Sequence, residues 1–142
     1  MAKASKQFSA YRNAVNYLER LANSSHDQAY MRNRHDHPEQ YVERTRELIK
    51  RLGNPCRGVR VIHVAGTAGK GTTTAYLHNI LYGAGYQVGS FMSPYATTSI
   101  EKIKVNDKYI DPNEFVKLVD RIKPVIRAME KEYEYGRPSY FE

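Results

Sequence analysis

The run Val61-Ile62-His63-Val64-Ala65-Gly66-Thr67-Ala68-Gly69-Lys70-Gly71-Thr72-Thr73 constrains this chain more than any other segment. An apolar stretch leads directly into a glycine-rich turn that holds one lysine, and a helical pattern follows. Strand, loop and helix in that order place bare backbone N–H groups at a helix N-terminus, where a phosphate binds well. The spacing is not the common Gly-x-x-x-x-Gly-Lys-Ser/Thr string, because Val64 stands five residues before Gly69 and Gly71 follows Lys70. Each residue type has a physical role. Gly66, Gly69 and Gly71 are free to adopt φ > 0 and let phosphate oxygens approach the backbone. Lys70 supplies a compact positive charge for β- and γ-phosphates and is the candidate catalytic residue. Thr72 and Thr73 offer hydroxyls to phosphate or Mg²⁺ and are placed to cap the helix. Thr67 lies in the same turn and belongs to the same cofactor-binding set. An ordinary flexible turn with capping threonines is the alternative. The flanking strand and helix favour phosphate binding.

The rest of the chain reads as α/β. Phe8 to Ala22 forms an amphipathic helix, with Tyr11, Val15, Leu18 and Leu21 at spacings near three and four. Asn23 to His37 is polar and carries His26, His35 and His37, read as a solvated loop rather than a zinc site. Pro38 opens a second helix whose apolar face is Tyr41, Val42, Thr45, Leu48, Ile49 and Leu52, and Gly53 ends it. Val59–Ala65 reads as a buried parallel strand, with His63 a structural residue at its end or else a general base. A helix from about Thr72 to Tyr82 and a second strand, Tyr86–Met92, complete a right-handed parallel unit. Ligand then lies beyond the carboxyl ends of these strands, near the glycine turn and Ser93. Ile100–Val105 and Lys108–Ile110 flank an Asn106-Asp107 turn as a hairpin. Asp111-Pro112-Asn113-Glu114 starts a last helix, which Pro124 should kink or divide and Gly136-Arg137-Pro138 should stop.

The formal charge of +7 invites a nucleic-acid reading. The basic residues are dispersed among acids, as in Glu43-Arg44-Thr45-Arg46-Glu47, which is the pattern of a solvated helical face. No RNA-binding aromatic motif accompanies the twelve tyrosines. The single cysteine, Cys56, has no partner for an internal disulfide and reads as an uncatalytic thiol. No apolar run reaches membrane-spanning length, and Met1 to Lys6 lacks the apolar core of a secretory signal. A cytoplasmic location without membrane contact is the expectation.

Several motifs together carry a family resemblance. Ala65-Gly66-Thr67-Ala68-Gly69-Lys70-Gly71-Thr72 resembles the ATP loop of folylpolyglutamate synthases and dihydrofolate synthases, members of the wider Mur-ligase group of ATP-dependent amide-forming enzymes. Leu52-Gly53-Asn54-Pro55 precedes the strand as in that family. Met92-Ser93-Pro94-Tyr95 stands where the family has Thr-Ser-Pro-His. Glu101-Lys102-Ile103-Lys104-Val105-Asn106 resembles its Glu-Arg-Ile-Arg-Val-Asn segment, and Ser139-Tyr140-Phe141-Glu142 the start of its Thr-x-Phe-Glu block. Two positions depart from the pattern: Ala68 replaces an Asn and Tyr95 a His.

The resemblance implies a P-loop-type parallel sheet with flanking helices, part of a Mur-ligase central domain. A helical lead-in over 1–58 would precede the α/β segment 59–142. It implies ATP and Mg²⁺ as cofactors, with Ser93 and Glu142 as metal ligands. The implied reaction is activation of a carboxylate by the γ-phosphate of ATP, followed by attack of the glutamate amine, with a folate-like or other carboxylate as substrate. The chain stops where the family's central domain continues. It is therefore expected to be an N-terminal piece, inactive alone and prone to self-association through an uncovered sheet. A non-catalytic nucleotide-binding module and a basic nucleic-acid-binding module are the other readings.

Overall fold

The computed structural model describes residues 2–22, 38–94 and 96–142. The histidine-bearing segment and Tyr95 therefore lie outside the described residues. Among the described residues there are four helices: α1 (Ala2–Ala22), α2 (Pro38–Arg51), α3 (Lys70–Gly83) and α4 (Pro112–Glu132). Three short strands, β1 (Gly89–Phe91), β2 (Ile103–Val105) and β3 (Lys108–Tyr109), complete the set, with a 3₁₀ turn at Ser99–Lys102. The chain is thus α/β. Among the described residues, no helix is long and apolar enough to cross a membrane.

Two compact units divide the chain. The first comprises Met1–Val59 and Val116–Glu142, the second Arg60–Phe115. The first holds most of the apolar core: Ala14 and Leu21 of α1 and Val119, Ile126 and Met129 of α4 are buried. Ala14 and Leu21 fall on the face predicted from Tyr11, Val15 and Leu18, because three- and four-residue steps align them on one stripe. Leu118, in the same helix, is 46% exposed. α2 ends as predicted at Gly53, whose φ of +82° puts it in the left-handed region glycine favours. The Asn54 N–H then reaches back to the Ile49 carbonyl at 2.9 Å. α4 runs unbroken through Pro124 rather than dividing there. Its start is as expected: the Asp111 carboxylate accepts the Asn113 N–H at 2.8 Å, and Pro112 occupies the first turn.

A buried polar cluster closes the first unit. Arg44, in α2, donates through Nε to Glu142 Oε1 at 2.7 Å and through Nη2 to Oε2 at 2.9 Å. Its Nη1 donates to the Tyr135 carbonyl at 3.2 Å, and the Tyr41 ring lies 4.8 Å from its guanidinium carbon. This two-pronged geometry suits the planar guanidinium.

The second unit carries the sheet, and its described strands pair antiparallel where the sequence predicts a parallel unit. The order is β1-β2-β3, and both pairings are antiparallel, with Ser90 opposite Lys104 and Val105 opposite Lys108. Residues 59–65 form no strand. A parallel strand needs a neighbour to accept its ladder bonds, and β1 is paired to β2 instead. Val61 and Ile62 consequently stand 75% and 60% exposed. The predicted hairpin is present but begins later, at Ile103, because residues 99–102 wind into the 3₁₀ turn. Asn106 forms its corner with φ +55°. The Asn106 carbonyl lies 2.6 Å from Nε2 of the buried His78, which ties α3 to the hairpin corner.

Candidate functional site

The glycine turn leads into α3 as the sequence predicts, but the helix starts two residues earlier than Thr72. Gly69 is its N-cap, with φ +73°, and offers no side chain to the first turn. The Thr73 N–H closes the first helical bond on the Gly69 carbonyl at 2.9 Å. The N–H groups of Lys70, Gly71 and Thr72 therefore precede any intrahelical acceptor. Free first-turn N–H groups of this kind are the arrangement at which a helix start can accept a phosphate. Thr72 and Thr73 are exposed first-turn residues rather than caps. Gly66 and Gly69 have positive φ, whereas Gly71 does not. A Cβ at Gly71 would meet nothing within 4 Å, so glycine there leaves the approach to the helix start open.

Lys70 is exposed and folds back on its own loop, its Nζ donating to the Gly66 carbonyl at 2.8 Å. A phosphate oxygen arriving at the turn would offer the ammonium a charged acceptor in place of a neutral one.

The turn faces a hollow of about 410 Å³, lined by residues that include Gly69, Gly71, Thr72, Ser93 and Glu101. Ser93, two residues beyond β1, is exposed there. The glycine turn and Ser93 thus line one hollow, although residues 59–65 before the turn form no strand. His63 is exposed and is not among the lining residues.

Glu142 is the other metal residue implied by the resemblance, and it belongs to the first unit. Its side chain is 6% exposed, and its carboxylate accepts the two Arg44 bonds and the Ser139 N–H at 2.9 Å. Among the described residues, no group of three or more His, Cys, Asp or Glu side chains is arranged to hold a metal ion. The turn and Ser93 thus fit a nucleotide phosphate. Glu142, the carboxylate that the resemblance marks for a metal, accepts Arg44 through both oxygens.

Glu101 was not singled out as a site residue in the sequence, yet it shapes this hollow. Its carboxylate accepts backbone N–H bonds from Ala96, Thr97 and Thr98 at 3.1, 3.0 and 2.8 Å. The Ala96 and Thr98 bonds lead in holding its carboxyl below the ordinary range. A legible signal existed: Thr98-Ser99-Ile100-Glu101 has the Thr-x-x-Glu spacing of a capping box.

Comparison with known proteins gives a consistent result. No family model matches the chain. It is 46% identical over 99 residues to the dihydrofolate synthase/folylpolyglutamate synthase of Bacillus subtilis, a match covering 70% of this chain and 23% of that protein. It is 32% identical over 135 residues to the mitochondrial folylpolyglutamate synthase of Cricetulus griseus, covering 92% of this chain and 23% of the relative. Among solved structures, the folylpolyglutamate synthase of Thermotoga maritima superposes with a TM-score of 0.65 at 34% identity, over 82% of this chain and 28% of that one. The Lactobacillus casei folylpolyglutamate synthetase shares the fold, with a TM-score of 0.73 at 24% identity over 92% of this chain and 30% of its own. The chain therefore spans about a quarter of the length of these relatives.

Proposed function

The chain is a relative of the dihydrofolate synthase/folylpolyglutamate synthase family, and on that premise we propose that it is the ATP-binding portion of an ATP-dependent amide ligase. The observation that carries this reading is the α3 start: an uncapped Gly69 with positive φ, followed by Lys70, facing a hollow that also takes in Ser93. First-turn N–H groups and one ammonium provide positive potential where a triphosphate concentrates negative charge.

In the proposed reaction, the γ-phosphate of ATP is transferred to a substrate carboxylate, releasing ADP. The glutamate amine then attacks the activated carbonyl, an amide forms and phosphate leaves. The chain's own contribution is to hold the triphosphate. Gly66, Thr67, Gly69, Gly71, Thr72 and Thr73 supply the cradle, and Lys70 bears on the β- and γ-phosphates. Mg²⁺, when bound, would neutralise further triphosphate charge. Ser93 is the residue of this hollow that would hold it. The segment 59–65 would serve as a strand of a parallel sheet, as one portion of a Mur-ligase central domain. A folate-like or other carboxylate and glutamate are the proposed substrates of the whole enzyme, and the cytoplasm its proposed location.

Calorimetry with ATP and AMP, each with and without Mg²⁺, tests the reading. ATP should bind more tightly than AMP, and Mg²⁺ should widen the gap. Equal affinity for the two nucleotides would refute it.

A further inference from the structure

We propose that Glu101 is a positioning residue for the nucleotide hollow: its carboxylate pins the Ala96–Thr98 backbone into the wall facing the glycine turn. The inference rests on the nucleotide reading above and adds to it a residue with no assigned role.

Three consecutive backbone N–H groups converge on this one side chain. Oε1 accepts from Thr97 and Thr98, and Oε2 accepts from Ala96. Such convergent N–H groups form an anion-binding concavity, and here the protein fills it with its own carboxylate. Both Ala96 and Glu101 line the hollow, together with Ser93, Gly69, Gly71 and Thr72. Residues 96–98 belong to no helix or strand, and Thr98 caps the 3₁₀ turn, its carbonyl accepting the Glu101 N–H at 3.0 Å. On its far side the chain is anchored by the Met92 N–H, which donates to the Lys102 carbonyl at 2.9 Å. Glu101 therefore closes a short loop between two fixed points, and that loop begins at Ser93-Pro94. With both oxygens occupied by backbone donors, Glu101 is arranged to set the wall and not to ligate a metal.

Removing the negative charge should loosen the wall and leave the fold intact, because the contacts span at most five residues and only the Thr98 one is part-buried. In Glu101→Gln, the amide oxygen still accepts from Thr97 and Thr98, but the amide nitrogen cannot accept from Ala96. Glu101→Asp keeps both acceptors one methylene short.

The test measures MgATP affinity by calorimetry and amide hydrogen exchange at residues 96–98, for wild type, Glu101→Gln, Glu101→Asp and Lys70→Ala. Glu101→Gln should exchange faster at these amides and bind MgATP roughly three- to tenfold more weakly, about the net worth of one ordinary hydrogen bond. Glu101→Asp should recover part of the affinity. In wild type, MgATP should slow exchange at residues 96–98, since coupling between two sites is reciprocal. If Lys70→Ala weakens MgATP while both Glu101 variants bind it as wild type does, the positioning role is overturned and the nucleotide reading stands. If Glu101→Gln loses affinity with exchange at 96–98 unchanged, the positioning role is likewise overturned. If wild type binds no MgATP, both readings fall.

Discussion

Lys70 is the residue proposed to discriminate between nucleotides. Its ammonium is held over the loop by the Gly66 carbonyl. Lys70→Ala should weaken ATP more than AMP, by about 1.5–3 kcal/mol for a lost charge-assisted contact. Calorimetry that returns equal losses on both nucleotides would remove Lys70 from the phosphate site. Ser93 makes a second prediction. Its hydroxyl is exposed on the same hollow. Ser93→Ala should therefore diminish the enhancement of ATP binding by Mg²⁺ and leave metal-free binding nearly unchanged. Full retention of the enhancement would reduce Ser93 to a turn residue. The two variants separate cleanly because one removes charge from the phosphates and the other an oxygen ligand from the metal.

At the scale of elements, the Arg44–Glu142 pair is the strongest polar tie between a helix and the C-terminal segment. Both side chains are nearly buried, at 11% and 6% exposure. Removing one partner leaves the other charge buried without compensation, which costs about 3–5 kcal/mol. Arg44→Ala should lower stability by that order in urea unfolding, and the exposed Arg46→Ala should change it by about 0–1 kcal/mol. Similar effects from the two variants would mean that Arg44 is not holding the segment. α3 behaves differently from the other helices. Tyr76 and Ile80 are 68% and 64% exposed, although the helix buries His78 and touches β1. A helix apolar on more than one face normally has neighbours on more than one side.

For the whole molecule, the exposed apolar residues and the state of Glu142 lead to one joint prediction. Val61, Ile62, Tyr76 and Ile80 place a substantial apolar area in water, which favours association. The carboxylate that the resemblance marks for Mg²⁺ is occupied by Arg44. The purified chain should bind ATP, associate with rising concentration in sedimentation experiments, and release no ADP in response to glutamate and a folate. Steady glutamate-dependent ADP release from a monomeric species would contradict this.

Much of this protein is written locally. The glycine turn before α3, the Gly53 stop, the Asp111-Pro112 start and the Asn106-Asp107 corner each follow from a few adjacent residues, because φ preference and capping act over one turn of chain. The joint placement of the glycine turn and Ser93 was also legible, since each directly follows an apolar segment. Partnership was not. Residues 59–65 have the composition of a buried strand, but a strand exists only where another backbone accepts its ladder bonds, and no described residue does so. Glu101 could have been found as a cap from the spacing to Thr98. That its carboxylate would gather three backbone amides at the edge of the hollow depended on how the loop after Ser93 folds back. Glu142 is the sharpest case: its family motif marks it for a metal, and only packing brings Arg44, 98 residues earlier, onto both its oxygens. Local sequence determined where this chain turns and where it offers bare N–H groups. Tertiary structure decided which charges meet, because pairing energy depends on distance and burial, and neither is a property of neighbours along the chain.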